Sequence, residues 1–308
     1  MKENNKTKQV DELVDDWAEQ IALDAQNPMT TGFPSIDKDL KNKYRGKVGA
    51  VIGYGGSKKS LFALQSMNSV VQHNLRGVIS NMEMSNTQLF GRILDQSFDI
   101  EQCTINNSEY MEHLFLNDNL DIERVKKKLL EIYGNRLLVT QKSRMKVEDY
   151  ERLIKETTEK YGTVDMLVVD GLSMMYTSGN ETDSYTTNSG ELKDLAKMYN
   201  IYIPLICHLS KGAEKHTREV QRYIRGSEKI LDNIDFVVQM SQLQDSLDPS
   251  SYLKNKGYIR FYNKRGSGNT ISKIFDFDGS KLWMTETDEN PASYELQQED
   301  NKKKKYGF

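Results

Sequence analysis

Short apolar runs alternate with amphipathic segments through most of the chain. The apolar runs are VGAVIGYG (48–55), RGVISN (76–81), NRLLVT (135–140), VDMLVVD (164–170) and IPLICHLS (203–210), and each predicts a strand. Segments with helical spacing cover 59–72, 86–98, 147–162 and 190–200. Strands that alternate with helices predict an α/β fold with a mostly parallel central sheet flanked by helices.

Beyond residue 234 the helical spacing disappears. The segments DFVVQMS, GYIRFYNKR, SKIFDFDG and KLWMTE are strand-like and are joined by short turns. This pattern predicts a mostly antiparallel C-terminal extension at the edge of the sheet.

The two ends of the chain differ from this core. In residues 11–25, Leu13, Trp17 and Ile21 recur every four positions, which predicts a helix whose apolar stripe needs a partner surface. From about residue 286 the chain is polar and ends in NKKKKYGF, as flexible tails do. We therefore expect an N-terminal segment (1–28), a core domain (29–285) and a tail (286–308).

Composition narrows the class of protein. The 308 residues are 37% hydrophobic and 28% charged, which is typical of a globular protein. No apolar run approaches the roughly 20 residues of a membrane span, and the N-terminus lacks the apolar core of a signal peptide. The only cysteines, Cys103 and Cys207, form no disulfide framework, which favours a reducing compartment. A net charge of −3 gives no global signature of nucleic-acid binding but leaves room for a local basic surface.

The stretch GYGGSKKS (53–60) is similar to the phosphate-binding pattern G-x-x-x-x-G-K-[ST]. Gly53, Lys59 and Ser60 match it. Backbone N–H groups of Gly55, Gly56 and Ser57 would hold phosphate oxygens. Lys59 would reach the outer phosphates of ATP, and the Ser60 hydroxyl would bind Mg²⁺.

Lys58 departs from this pattern, because it stands where the second glycine belongs. We expect it to strain the turn by about 1–3 kcal/mol and to add a positive charge near the phosphates. The alternative is a lysine-rich turn without function.

Two acidic residues follow apolar strands. Asp170 ends VDMLVVD, and its strand is expected to lie beside that of the phosphate loop and to orient Mg²⁺. Glu83 follows the strand 76–81, which we expect nearest the loop, where a carboxylate could polarise the attacking water. Ser85 is a candidate N-cap, and Arg92 could reach back to the same region. The alternatives are an exposed strand-end acid and a first helical turn made acidic by the helix dipole.

Basic residues cluster later in the chain. His208 ends a buried strand, where it could sense the γ-phosphate, although strand-end histidines are often structural. After it come the candidate DNA-backbone contacts Lys211, Lys215, Arg218, Arg222 and Arg225, with a solvated loop as the alternative. Lys264 and Arg265 are expected on a strand before a glycine turn, where Arg265 could enter a neighbour's nucleotide site. A plain hairpin tip is the alternative.

In order and spacing, these motifs resemble the RecA-like P-loop NTPase motor domain of hexameric replicative helicases, the group of DnaB, Twinkle and the phage primase-helicases. The resemblance covers roughly residues 29–285 and rests on TGFPSID (31–37), GYGGSKKSLFALQ, SNMEMSNTQLFGRIL, MLVVDGLSMM, ICHLSK, RYIRGSEKILDNIDFVVQM and FYNKRGSG. The lysine- and asparagine-rich composition hints at a phage or mobile element.

The resemblance implies an ATP-dependent DNA helicase that uses Mg²⁺. The expected partners are single-stranded DNA, further copies of the chain in a homo-oligomer (a hexamer), and primase, polymerase or loader proteins, with no membrane and a cytoplasmic location. By resemblance, Glu83 is the catalytic glutamate, Asp170 orients Mg²⁺, His208 contacts the γ-phosphate and Arg265 is the arginine finger. Loops 172–189 and 210–225 would face single-stranded DNA. Residues 11–25 would be the linker helix that docks on the adjacent subunit.

Three departures from the family pattern leave alternatives open. Lys58 replaces a glycine, and Asn263 stands where many DnaB-type proteins carry a lysine, so that Lys264 replaces that contact or the contact is missing. We also expect no primase or primase-binding domain before the motor. The alternatives are a recombination or regulatory ATPase similar to RecA or KaiC, and a non-hydrolysing, nucleotide-locked DNA-binding assembly factor.

Overall fold

The computed structural model describes residues 9–97, 122–209, 228–244 and 252–291. The strands are β1 (Val48–Gly53), β2 (Gly77–Asn81), β3 (Leu137–Thr140), β4 (Met166–Asp170), β5 (Ile203–His208), β6 (Phe236–Gln244), β7 (Tyr252–Tyr262), β8 (Thr270–Asp278) and β9 (Trp283–Glu286). The helices are α1 (Val10–Gln26), α2 (Pro34–Leu40), α3 (Lys59–Gln72), α4 (Asn86–Ser97), α5 (Ile122–Tyr133), α6 (Val147–Tyr161) and α7 (Glu181–Tyr199), with 3-10 helices at Leu172–Met174 and Glu228–Asn233.

These strands form one sheet in the order β3-β2-β4-β5-β1-β6-β7-β8-β9. Strands β1 to β6 pair in parallel, and β7, β8 and β9 add an antiparallel extension. Both features of the predicted fold class are confirmed.

The strand order corrects two expectations about neighbours of the phosphate loop. Strand β5 lies between β1 and β4, and β4 in turn separates β2 from β5. Distance along the chain does not encode which parallel strand lies beside which, because the crossover helices are long enough to skip a position.

The central strands β1, β2, β4 and β5 are buried on both faces of the sheet. One face carries Val51 and Ile79 against α3 and α4, and the other carries Ile52 and Leu167 against α6 and α7. Because both faces need apolar side chains, the core strands are continuous apolar runs, and these are the runs that the sequence displays.

Helix α7 begins at Glu181 and not at 190, so the expected loop 172–189 is wrong over half its length. The Asn180 side chain accepts a hydrogen bond from Thr182 N at 3.0 Å, as an N-cap does. The inward side of the first turns carries polar residues that are buried by hydrogen bonds, such as Ser184 Oγ to Ser178 O at 2.9 Å. These turns therefore lack the apolar periodicity that predicts a helix from sequence.

Helix α1 lies where the apolar stripe predicts a helix, and its stripe remains uncovered in the single chain. Trp17 is 64% exposed and Leu13 is 51% exposed. Polar contacts attach the C-terminal half to the core, since Arg45 pairs with Asp24 at 3.0 Å and Asn200 Nδ2 donates to Gln20 at 2.7 Å. None of the helices in the described ranges has the length and apolar character of a membrane span.

Candidate nucleotide-binding site

The carboxyl ends of four parallel strands bring the candidate site residues together. Gly53 at the end of β1 lies opposite His208 at the end of β5, and Asn81 at the end of β2 lies opposite Asp170 at the end of β4. The segments that follow these strands meet at one edge of the sheet, which is where open α/β folds bind their ligands.

The loop 53–60 has the shape of a phosphate cradle. A Cβ on Gly53 would overlap the Ser57 hydroxyl and the Met240 carbonyl, so only glycine fits there. A Cβ on Gly55 would meet nothing within 4 Å, because the loop is open on that side. The Lys59 ammonium donates to the carbonyls of Gly53 at 2.9 Å and Tyr54 at 2.8 Å and so lies across the loop.

One buried polar atom in this loop has no partner. Ser57 is 2% exposed, and its hydroxyl makes no hydrogen bond. A buried polar atom without a partner needs an explanation, and a phosphate oxygen of a bound nucleotide would supply one. The loop residues therefore fit a nucleotide.

Lys58 adopts the left-handed backbone conformation expected at its position, with φ 69° and ψ 22°. For a residue with a side chain this costs about 1–2 kcal/mol. Its ammonium lies 4.4 Å from the ring centroid of Phe277 on β8, a cation–π contact. Desolvation lowers the pKa of Lys58. The charge thus has a partner of its own on the antiparallel extension, which the sequence did not indicate.

Asp170 is the most perturbed carboxylate of the site. It is 2% exposed and accepts a long hydrogen bond, 3.5 Å, from the Ser60 hydroxyl. Burial, and then the charge of Glu83, raise the pKa of Asp170 to about 6. Burial also lowers the pKa of Lys59, although Glu83 and Asp170 oppose that shift. A hydroxyl beside a buried carboxylate is an oxygen donor set that suits Mg²⁺.

Asn81 fixes the turn that places Glu83 in the site, although Glu83 follows β2 and β2 lies three strands away from β1. The buried Asn81 side chain donates to Met84 O at 2.7 Å and accepts from Met84 N at 3.1 Å, which closes a tight turn around Glu83. Ser85 then caps α4 as predicted, since its hydroxyl accepts from Gln88 N at 3.2 Å. Asn81 was not among the residues predicted for the site. The signal that could have indicated it is an asparagine at the end of a strand, directly before a turn.

The Glu83 carboxylate is hydrogen-bonded to Nε2 of His208. This bond is the main reason that the pKa of Glu83 is lowered, with charges on Lys59 and Arg92 adding to it. Arg92 is therefore close enough to Glu83 for its charge to act on that carboxylate, and its contact with a nucleotide stays a prediction. A charged carboxylate beside an imidazole is able to accept a proton from water.

Arg265 and Lys264 lie elsewhere, which corrects their expected place on a strand. Strand β7 ends at Tyr262, and both residues belong to the β7–β8 turn. Arg265 N donates to Asp235 O at 3.0 Å, and Asp235 N donates to Val48 O at the start of β1. Arg265 is therefore at the amino edge of the sheet, opposite the phosphate loop.

The Lys264 ammonium binds Leu231 O at 2.5 Å within this chain, so it must leave that carbonyl before it replaces the missing lysine contact on a neighbour, and this role stays a prediction. The candidate DNA contacts Lys211, Lys215, Arg218, Arg222 and Arg225 lie outside the described residues. Their role stays a prediction.

Residues 28–278 match the family model of the DnaB-like helicase C-terminal domain. The chain belongs to this family. No curated protein sequence matches the chain.

Solved structures agree with this DnaB-like assignment at the level of the fold. One solved ATPase domain superposes with a TM-score of 0.74 at 16% identity, over 92% of this chain and 100% of that one. A DnaB-like replicative helicase, studied with its primase interactions, gives 0.67 at 14% identity, over 91% and 67%. A KaiC-like protein from Pyrococcus horikoshii gives 0.57 at 12% identity, over 84% and 97%.

Proposed function

We propose that this DnaB-like domain is an ATP-driven ring motor that moves along single-stranded DNA and unwinds the duplex during replication. The observation that supports it best is the division of the site between two sheet edges. Lys59, Ser60, Asp170 and Glu83 meet at the carboxyl edge, whereas Arg265 lies at the amino edge. A head-to-tail ring, expected to be a hexamer, would bring the amino edge of one subunit to the carboxyl edge of the next.

Each residue of the carboxyl edge has a role that its surroundings suit. The loop amides and Lys59 would hold the phosphates, for which Lys59 would exchange its present carbonyl partners. Ser60 and Asp170 would hold Mg²⁺, which neutralises charge on the phosphates when bound. Glu83 would orient and deprotonate the attacking water, and His208, bonded to Glu83, would respond to the γ-phosphate. Arg265 would enter from the neighbour.

The uncovered stripe of α1 would provide part of the ring contact. Leu13, Trp17 and Ile21 are exposed in the single chain, while Asp24 and Gln20 attach the helix to the core. We expect α1 to dock its apolar stripe on the adjacent subunit. Gel filtration of a chain that lacks residues 1–28 tests this role, and an oligomer of unchanged size would refute it.

Single-stranded DNA would contact the basic stretch after β5. Removing the charges of Lys211 and Lys215 should weaken DNA binding and reduce the slope of affinity against salt concentration. An unchanged salt slope would place the DNA elsewhere. The similar DnaB-like replicative helicase interacts with primase, and a primase is a candidate partner here for that reason, beside polymerase and loader proteins.

Two other functions keep a specific observation in their favour. The fold is shared with a KaiC-like protein, which is consistent with a recombination or regulatory ATPase. The left-handed Lys58 in the phosphate loop suits a nucleotide-locked assembly factor that does not turn over.

Strand displacement on a forked DNA duplex separates the three functions. A motor displaces the strand with ATP and fails with a non-hydrolysable analogue. Strand exchange without displacement would favour the recombinase, and nucleotide binding without turnover would favour the assembly factor. A Glu83→Gln chain is the control for contaminating helicase.

A further inference from the structure

The β7–β8 turn that carries Arg265 is held by a side chain from a distant part of the chain. Asp39, in α2, accepts hydrogen bonds from Asn263 Nδ2 at 2.7 Å, Asn269 Nδ2 at 2.9 Å and Ser267 Oγ at 3.2 Å. The three donors lie on both sides of Arg265. One carboxylate therefore fixes both ends of the turn.

The charge of Asp39 suits this role. Burial alone would raise the pKa of Asp39, but the hydrogen bonds from Asn269, Asn263 and Ser267 outweigh burial and lower it. The carboxylate is consequently ionised at neutral pH, and hydrogen bonds to an ionised acceptor are stronger than those between neutral groups.

The backbone of the turn is arranged around the same contact. Asn263 is 6% exposed, and a Cβ on Gly266 would overlap its side chain. Only glycine beside Arg265 leaves Asn263 free to reach Asp39. Asn263 N donates to Asn269 O at 3.1 Å, and Gly268 N donates to Asn263 O at 3.1 Å, which closes the turn.

The other side-chain contacts that tie this turn to distant described residues come from its first half. Lys264 Nζ and the Arg265 guanidinium bind carbonyl groups of the 3-10 helix Glu228–Asn233, at Leu231 and Asp232. To reach another subunit, the guanidinium must leave Asp232. The contacts of Asp39 do not depend on where the Arg265 side chain points. The Lys264 contact and the Arg265 N–H bond to Asp235 O share this property but hold only the first half of the turn.

We infer that Asp39 is a positioning residue that fixes the β7–β8 turn in the shape from which Arg265 enters a neighbouring nucleotide site. The inference rests on the proposed function, in which Arg265 acts on the adjacent subunit. It also gives a reason for the departure at Asn263, because the amide of Asn263 is bound to Asp39 and has no need to contact a phosphate.

The Asp39→Ala variant should lose turnover while it keeps nucleotide affinity. We expect DNA-stimulated kcat to fall about ten- to a hundredfold, the effect of misplacing a reacting group by roughly 1 Å. The dissociation constant of a fluorescent ADP analogue should change by less than about threefold, because the phosphate loop of the same chain is at the opposite sheet edge.

Glu286→Ala is the matched control for this variant. Glu286 holds the other end of α2, by accepting bonds from Ser35 N at 3.0 Å and Ser35 Oγ at 2.5 Å, and does not contact the turn in the described structure. Its kcat should stay near that of the unmodified chain. Equal kcat values for the two variants would overturn the inference.

Mixed rings separate this inference from the proposed function. Asp39→Ala subunits keep an intact phosphate loop, and Lys59→Ala subunits keep an intact turn. Co-assembled rings of the two should hydrolyse ATP faster than either alone, since the Arg265 of a Lys59→Ala subunit serves its neighbour. Arg265→Ala mixed with Lys59→Ala is the reference.

The two mixtures have distinct outcomes. Recovery with Arg265→Ala but not with Asp39→Ala would overturn the inference and leave the proposed function standing. Failure of both mixtures would refute the finger acting between subunits, and the inference with it. If Asp39→Ala does not fold, a double variant, Ser267→Ala with Asn269→Ala, removes two of the three donors to Asp39, and both of these donors are exposed. An unchanged kcat in the double variant would overturn the inference.

Discussion

Asp170→Asn should stabilise the nucleotide-free protein, although it removes a residue of the candidate site. Burial and the charge of Glu83 raise the pKa of Asp170 from its ordinary value of 3.8 to about 6. At 1.36 kcal/mol for each pH unit, ionising this carboxylate costs the folded state about 3 kcal/mol. Asparagine has nearly the same shape and no charge. We expect the free energy of unfolding to rise by about 1–3 kcal/mol at pH 8.

The direction of the pKa shift of Asp170 determines how the stability gain of Asp170→Asn depends on pH. The folded state holds the Asp170 proton more tightly than the unfolded state, so the cost is absent below pH 3.8, grows as the pH rises towards about 6, and is complete above that value. The advantage of Asp170→Asn should therefore be largest near pH 8 and shrink by about half or more near pH 5.

Urea unfolding of the nucleotide-free protein measures this difference. Asp149→Asn is the control, because the hydrogen bond from Lys142 lowers the pKa of Asp149. Its contribution is therefore constant over this pH range and is lost only in stronger acid. A destabilised Asp170→Asn, or a gain that is the same near pH 5 and pH 8, would refute the reasoning.

Three further predictions concern single residues. Lys58→Ala keeps the left-handed strain and loses the contact with Phe277, so its free energy of unfolding should fall by about 0.5–1 kcal/mol. Lys58→Gly relieves the strain and should be more stable than Lys58→Ala by about 1–2 kcal/mol; thermal melts that rank alanine highest would contradict this. Asn81→Ala should lower kcat by about tenfold or more at unchanged ADP affinity, because the turn around Glu83 loses both side-chain bonds; steady-state kinetics and nucleotide titration test it. Lys193→Met leaves the Asp235 carboxylate buried without its cation and should cost about 3–5 kcal/mol in urea unfolding, so that a loss below about 1 kcal/mol would argue against the pair.

Local signals in the sequence predicted the elements that build the site. The apolar runs around Val51 and Val168 are buried strands because both faces of a parallel sheet demand apolar residues. The left-handed Lys58 was also foreseeable, since the motif has glycine there.

The sequence did not indicate in the same way how distant segments of the chain are arranged. The strand order put β5 between β1 and β4, and no residue pattern marks which strands are adjacent. The early start of α7 was missed because Ser184 and Asn188 are buried by hydrogen bonds and not by apolar contacts. Asp39 carries no motif at all, and its role appears only when α2 and the β7–β8 turn are seen together.

The measurement that tests the central claim most directly is ATP hydrolysis with and without single-stranded DNA, beside a Glu83→Gln chain. A motor requires turnover that rises when DNA is added. This turnover should be lost in the Glu83→Gln chain, because Glu83 would deprotonate the attacking water. Nucleotide binding without turnover would contradict the motor and would make the loop around Lys58 a structural switch.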